Sequence, residues 1–268
     1  MQAKTRVPSA HAPRLALAEL LKLRKRRGLL ILTAVLTVGA MVVFYSILAI
    51  LHAANPAHHG PAGGVANLGH SMAVLISLGG IGAVVVGAVG GTADLSAGVF
   101  RELVVTGRSR RALFLARIPG GLAFVLPFVA LAFALAAGAS VVFAGPLAAP
   151  STGLLAECGA WIVLVAAYDF AFALGVASLI GSRPIAIAVL LAWRNVLAPV
   201  LLAIDFLGAA RDGLPNGAAE RLLPGQVATF LRQGNGLQMS ATTAVATLVI
   251  WTLVSLAAGS LRTQTRDA

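Results

Sequence analysis

Six long apolar stretches separated by shorter polar segments set the pattern of this chain. The first, Leu29 to Leu51, has no charged side chain, and Ser71 to Ala93, Ile118 to Phe143, Leu154 to Ile180, Ile185 to Leu207 and Ala241 to Leu261 follow it. Each is long enough to cross a hydrocarbon core about 30 Å thick, which takes about 20 helical residues at about 1.5 Å rise. Barrel strands would alternate between lipid-facing and lumen-facing residues over about 10 positions. These runs are apolar on every side, so the pattern predicts an all-α polytopic membrane protein with six transmembrane helices. A single transmembrane domain then covers residues 1–268.

Charge supplies the orientation. Hydrophobic residues make up 59% of the 268, yet the chain carries a net charge of +11. Lys4, Arg6, Arg14, Lys22, Arg24, Lys25, Arg26 and Arg27 precede the first span; Arg101, Arg108, Arg110, Arg111 and Arg117 lie between the second and third. Arg183 occupies the turn between the fourth and fifth spans, and Arg262 and Arg266 follow the sixth. The opposite loops carry no Lys or Arg between His52 and His70 or between Ala144 and Gly153, and the third holds only Arg211, Arg221 and Arg232. The positive-inside rule therefore predicts that both termini are cytoplasmic. The positive charge serves orientation and attraction to anionic membrane lipid, worth about 1 kcal/mol per basic residue near the surface, and calls for no nucleic acid.

Within this frame the remaining residues narrow the chemistry. The lone Cys158 excludes an internal disulfide and a multi-cysteine metal site. A cleavable leader is not expected, because the first apolar run far exceeds the usual length of such a segment. Pro13 to Arg27 reads as a short helix lying in the membrane interface, with Leu17, Leu20 and Leu21 on one side and Arg14, Lys22, Arg24, Lys25 and Arg26 on the other.

In the second span Gly79, Ala83, Gly87 and Gly91 recur every fourth residue, a ridge for close helix approach. The glycines Gly79, Gly80 and Gly82 are not a phosphate-binding loop, since no Lys-Ser/Thr follows them. Asp169 and Arg194 lie at comparable distances from the turn near Ser182 and Arg183, so they fall at one depth in the membrane. Two readings stay open for them: an ion pair that fixes helix packing, or a part in substrate passage or gating. Glu157 and Asp205 match in depth near the outer surface, where solvent accounts for them. His52, His58, His59 and His70 cluster in a Gly- and Pro-rich outer loop with no carboxylate to orient an imidazole, so no metal site is expected. The spans hold neither the nucleophile and base of an intramembrane hydrolase nor a histidine to carry haem. We expect no enzymatic activity in this chain.

The connection after the second span is the most specific stretch, covering residues 94–111. Leu95 to Val105 has the composition of a short amphipathic helix; Thr106-Gly107 ends it, and Ser109 can cap the helix that returns to the membrane. With Asp94, Gly98, Leu103, Thr106, Ser109, Arg110 and Arg117 in this order, the stretch resembles the permease subunits of type 2 ATP-binding-cassette exporters. Val99, Gly107 and Ala116 stand where that family commonly has Thr, Pro and Gly. The resemblance extends to the layout: an interfacial helix, six spans, a tight turn at Gly181 to Pro184 and a longer outer segment before the last span.

It implies that Leu95, Val99, Phe100, Arg101, Glu102 and Leu103 lie on a coupling helix that docks on a separate ATPase subunit. It further implies a second permease copy or paralogue as partner, and a multi-pass location in the cytoplasmic membrane of a bacterium. ATP and magnesium would reside in the partner ATPase, with no cofactor bound by this chain. The cargo expected from apolar walls is amphipathic or hydrophobic. Residues 208–240 would form a re-entrant element dipping into the outer leaflet, the alternative being a surface Ω-like loop. The competing reading of the whole chain is a membrane protein of structural or assembly function.

Overall fold

The computed structural model describes residues 12–96, 109–229 and 239–265. Its described residues are helices joined by short turns, without a strand. After α1 (Ala12–Arg24), six helices are long and apolar enough to span a membrane: α2 (Arg27–Ala54), α3 (Gly64–Ala93), α4 (Arg110–Val142), α5 (Thr152–Ile180), α6 (Arg183–Ala203) and α9 (Ala241–Thr265). The short α7 (Pro215–Arg221) and α8 (Gly225–Ala228) lie between α6 and α9. The chain is thus a multi-pass, all-α membrane protein. Exposed Ile31, Val42, Ile47, Ile185, Val189, Val200, Val249 and Leu253 line the outsides of α2, α6 and α9. Water would not tolerate so continuous an apolar surface, but lipid does.

Six crossings put α1, the facing ends of α3 and α4, the α5–α6 turn and the last turn of α9 at one end, the basic face, and the α2–α3 and α4–α5 connections and the segment that follows α6 at the other, the far face. The α5–α6 turn shows how local chemistry fixes the topology. Gly181 adopts the left-handed conformation with φ 74°, and its N–H donates to Ala177 O at 2.8 Å. A side chain would strain that conformation. Pro184 then sits in the first turn of α6, where its missing N–H costs nothing.

Two glycine contacts build the centre. A Cβ on Gly87 would lie 2.8 Å from Ala173 Cβ, and one on Gly91 would lie 2.8 Å from Leu174 O, so α3 and α5 pack backbone to backbone. A Cβ on Gly259 would lie 2.6 Å from Gly175 O, which locks α9 onto the same helix. Without such small residues, neither crossing could be this close. The core around α5 is filled by Phe124, Val129, Ile162, Phe170 and Leu174. Some polar atoms inside it are satisfied across helices: Tyr45 Oη shares a 2.6 Å hydrogen bond with Ser140 Oγ and donates to Ser71 Oγ at 3.2 Å, joining α2, α3 and α4.

The first helix is shorter than Pro13 to Arg27, because the backbone turns at Arg26 (φ −84°, ψ 83°) and Arg27 already belongs to α2. It lies against α4, where a Cβ on Gly120 would meet Ala16 O at 2.7 Å. Leu23 is buried, while Leu17 and Leu21, one turn apart, stay exposed beside the cations. An apolar strip next to basic residues at the end of a bundle is suited to a membrane interface.

Several boundaries differ from the hydropathy pattern. α3 starts at Gly64, not Ser71, since Asn67 is satisfied by donating to Pro61 O and Gly63 O, both at 3.0 Å. His52 and His70 therefore stand inside helices α2 and α3 instead of in a loop. α6 ends at Ala203, and Asp205–Gly213 continues as a 3-10 segment.

Candidate functional site

Three of the spans are interrupted by a π-helical turn: Val35–Gly39 in α2, Leu75–Gly79 in α3 and Trp193–Leu197 in α6. Such turns are uncommon, bend the helix locally and concentrate at functional sites. Two of them meet. Arg194, in the π turn of α6, reaches into the π turn of α3, and its Nη2 donates to Ile76 O at 2.5 Å. That carbonyl already accepts from Gly80 N–H, so the guanidinium uses its second lone pair.

The same guanidinium pairs with Asp169 of α5. Nη2 lies 3.1 Å from Asp169 Oδ2, and Nε donates to the same oxygen at 3.2 Å. Asp169 is buried and Arg194 largely so, with side-chain exposures of 9% and 13%. Asp169 is eleven residues before Ile180 and Arg194 eleven after Arg183, about 16 Å from the basic face by helical rise. The pair sits half-way through the bundle. Gly80 makes room for it, because a Cβ there would collide with the Arg194 guanidinium and lie 2.8 Å from Asp169 Oδ2.

Beside the pair is a cavity of about 310 Å³, with Ser77, Trp161, Tyr168, Asn195, Asn216 and Glu220 among its lining residues. The far-face segment forms one side of it. Trp161 Nε1 donates to Ala219 O of α7 at 2.9 Å, and Trp251 Nε1 donates to Gly213 O at 2.9 Å. Trp161 is nine residues into α5 and Trp251 ten into α9, about 13 to 15 Å from the far ends of those helices. Thus 205–221 folds back between the helices. Asn216 Nδ2 also donates to Arg194 O at 3.2 Å, tying α7 to the π turn of α6.

The other residues singled out in the sequence fall elsewhere. Gly87 and Gly91 pack against α5 and Ala83 is buried, whereas Gly79 turns toward Thr37 of α2. Gly80, next to it, is the glycine that meets α5 and α6, since the π turn shifts the helical register by about one residue. Leu95 stands near the end of the helical segment Gly80–Ser96, and Val99, Phe100, Arg101, Glu102 and Leu103 lie outside the described residues. At the return, Ser109 caps α4 by accepting from Ala112 N at 3.2 Å. Asp205 pairs with Arg211 at 2.9 Å instead of depending on solvent alone. His52 Nδ1 contacts His59 O at 2.7 Å, and His58 Nδ1 contacts Asn55 Oδ1 at 3.3 Å. Among the described residues no three His, Cys, Asp or Glu side chains gather as a metal site would require.

Residues that pattern reasoning passed over complete the site: Gly80, Ile76 through its carbonyl, Tyr168, Asn195 and Asn216. The polar run Arg194-Asn195 within an apolar helix, and Tyr168 next to Asp169, were the available signals. Asn216 had none, because only the fold-back of α7 brings it there. Comparison of the sequence with protein-family models and with curated proteins returns no match.

Proposed function

We propose that this chain is the membrane-spanning permease subunit of an ATP-binding-cassette exporter, which moves an amphipathic or hydrophobic cargo and takes its energy from a separate ATPase. The observation that carries the transport reading is the buried Asp169–Arg194 pair beside a cavity half-way through six apolar helices. Charges at that depth are expensive and mark substrate or ion pathways by default, and helices broken near the midplane are a common way of building such sites. The association with an ATPase rests on the resemblance of Asp94 to Arg117 to the type 2 permeases. An interfacial α1, a glycine-capped α5–α6 turn and a far-face fold-back support it by their layout.

In this reading both termini are cytoplasmic, and two such bundles pair around a central path. ATP and magnesium are held by the partner ATPase. The segment Leu95 to Val105 transmits its closure, with Val99, Phe100 and Leu103 as apolar anchors and Arg101 and Glu102 as flanking charges; buried aromatics and arginines carry most of the energy in such contacts. The test is Phe100→Ala combined with Arg101→Ala. Loss of the ATPase on purification, with the permease still folded, supports the reading. Normal copurification and transport by the double variant would refute the coupling and favour an assembly function.

A further inference from the structure

The cavity beside Asp169 and Arg194, about 310 Å³ in volume, lies at the lower end of the range of ligand sites, about 300 to 1,000 Å³. It suits a small molecule or a single head group, not a whole lipid. Its wall keeps unused hydrogen-bonding capacity. The Tyr168 hydroxyl is buried and has no hydrogen-bond partner among the described residues, which is costly in an apolar bundle unless something else supplies one. Asp169 spends Oδ2 on Arg194, and Oδ1 accepts no hydrogen bond from the described residues. Arg194 Nη1 makes only a 3.4 Å contact with Asn195 Oδ1, which leaves it a second N–H to offer. Trp161 and Tyr168 add aromatic surface on which a cation can rest.

The charges decide the ligand class. Asp169 and Arg194 compensate each other, and Glu220 on the same wall is engaged in an interaction of its own. A ligand with one charge would add an uncompensated third charge to the pair, half-way through the bundle. A zwitterion brings its own compensation and offers each member of the pair an opposite charge. We propose that this cavity binds a small zwitterion, its ammonium group placed toward Asp169 Oδ1 and the aromatic wall, its acidic group toward Arg194 Nη1 and the Tyr168 hydroxyl. This deepens the transport reading, on which it rests, by giving the cargo a zwitterionic polar end. Binding is measured on the permease chain alone, so it can fail while ATPase coupling stands, or hold while coupling fails.

The experiment follows tryptophan fluorescence and thermal unfolding of the purified full chain in detergent. Four probes are titrated: glycerophosphoethanolamine, ethanolamine, diethyl phosphate, and dihexanoyl phosphatidylethanolamine. A saturable response to a zwitterionic probe, with little or none to ethanolamine or diethyl phosphate, supports the proposal. Tighter binding of the lipid than of glycerophosphoethanolamine makes the source a lipid head group, and the reverse order makes it a free solute. Tyr168→Phe removes a hydroxyl that bonds nothing among the described residues, so it should leave unliganded unfolding unchanged and weaken binding roughly tenfold. Absence of a saturable response to both zwitterions, equal responses to the singly charged probes, or wild-type affinity in Tyr168→Phe would overturn it.

Discussion

Breaking the Asp169–Arg194 pair from either side should destabilise the protein, and the two losses should differ. Unit charges 3.1 Å apart at an effective dielectric of about 20 attract by about 5 kcal/mol before desolvation is subtracted. Removing one partner of a buried pair leaves the other charge uncompensated and costs about 3 to 5 kcal/mol. Asp169→Asn keeps a carbonyl acceptor for the guanidinium and leaves the Arg194 bond to Ile76 O in place. It should fall near about 3 kcal/mol.

Arg194→Gln removes the charge and also takes the second donor from Ile76 O in the α3 π turn, a charge-assisted bond worth about 1.5 to 3 kcal/mol, so its loss should approach about 5 kcal/mol. The double variant leaves no lone charge and should cost clearly less than the sum, with a coupling of at least about 2 kcal/mol. Equilibrium unfolding in mixed micelles of increasing SDS fraction, followed by tryptophan fluorescence, measures all three. Additivity within about 0.5 kcal/mol, or a larger loss for Asp169→Asn than for Arg194→Gln, would refute the reasoning.

Two further outcomes follow from the packing and the charge pattern. Gly175→Ala places a Cβ 2.8 Å from Leu256 N, so α5 and α9 must separate, and the variant should lose about 1 to 3 kcal/mol in the same assay, whereas Gly138→Ala, with nothing within 4 Å, should be near neutral. In a Cys158→Ser background, Gly60→Cys on the far face should react with an impermeant thiol reagent applied outside intact cells and Gln264→Cys should not; the opposite result would invert the proposed orientation.

Much of the fold was legible because lipid imposes one requirement on every span: about 20 predominantly apolar residues. The ends of spans were less legible, for polar residues can enter a helix when a neighbour satisfies them. Asn67 does so through Pro61 O and Gly63 O, and Ser71 through Tyr45, which lets α3 begin a full two turns before its apolar run. The equal spacing of Asp169 and Arg194 from the Gly181 turn is a property of the sequence. That Arg194 also reaches Ile76 O is not, because it depends on π turns in two helices and on the absence of a side chain at Gly80. The cavity was hidden for a related reason. Its wall comes from α3, α5, α6 and α7, and α7 is held there by contacts that include the indole of Trp161 and the amide of Asn216.

The central claim is that this bundle works with an ATPase. Its most direct test is to extract the chain from its native membrane in mild detergent, reconstitute what copurifies into nanodiscs, and measure subunit composition together with magnesium-dependent ATP hydrolysis. The account predicts a nucleotide-binding-cassette ATPase in equal amount with the permease chains, whose hydrolysis falls with Phe100→Ala and Arg101→Ala. A chain that emerges folded but without any nucleotide-binding subunit and without ATP hydrolysis would contradict it.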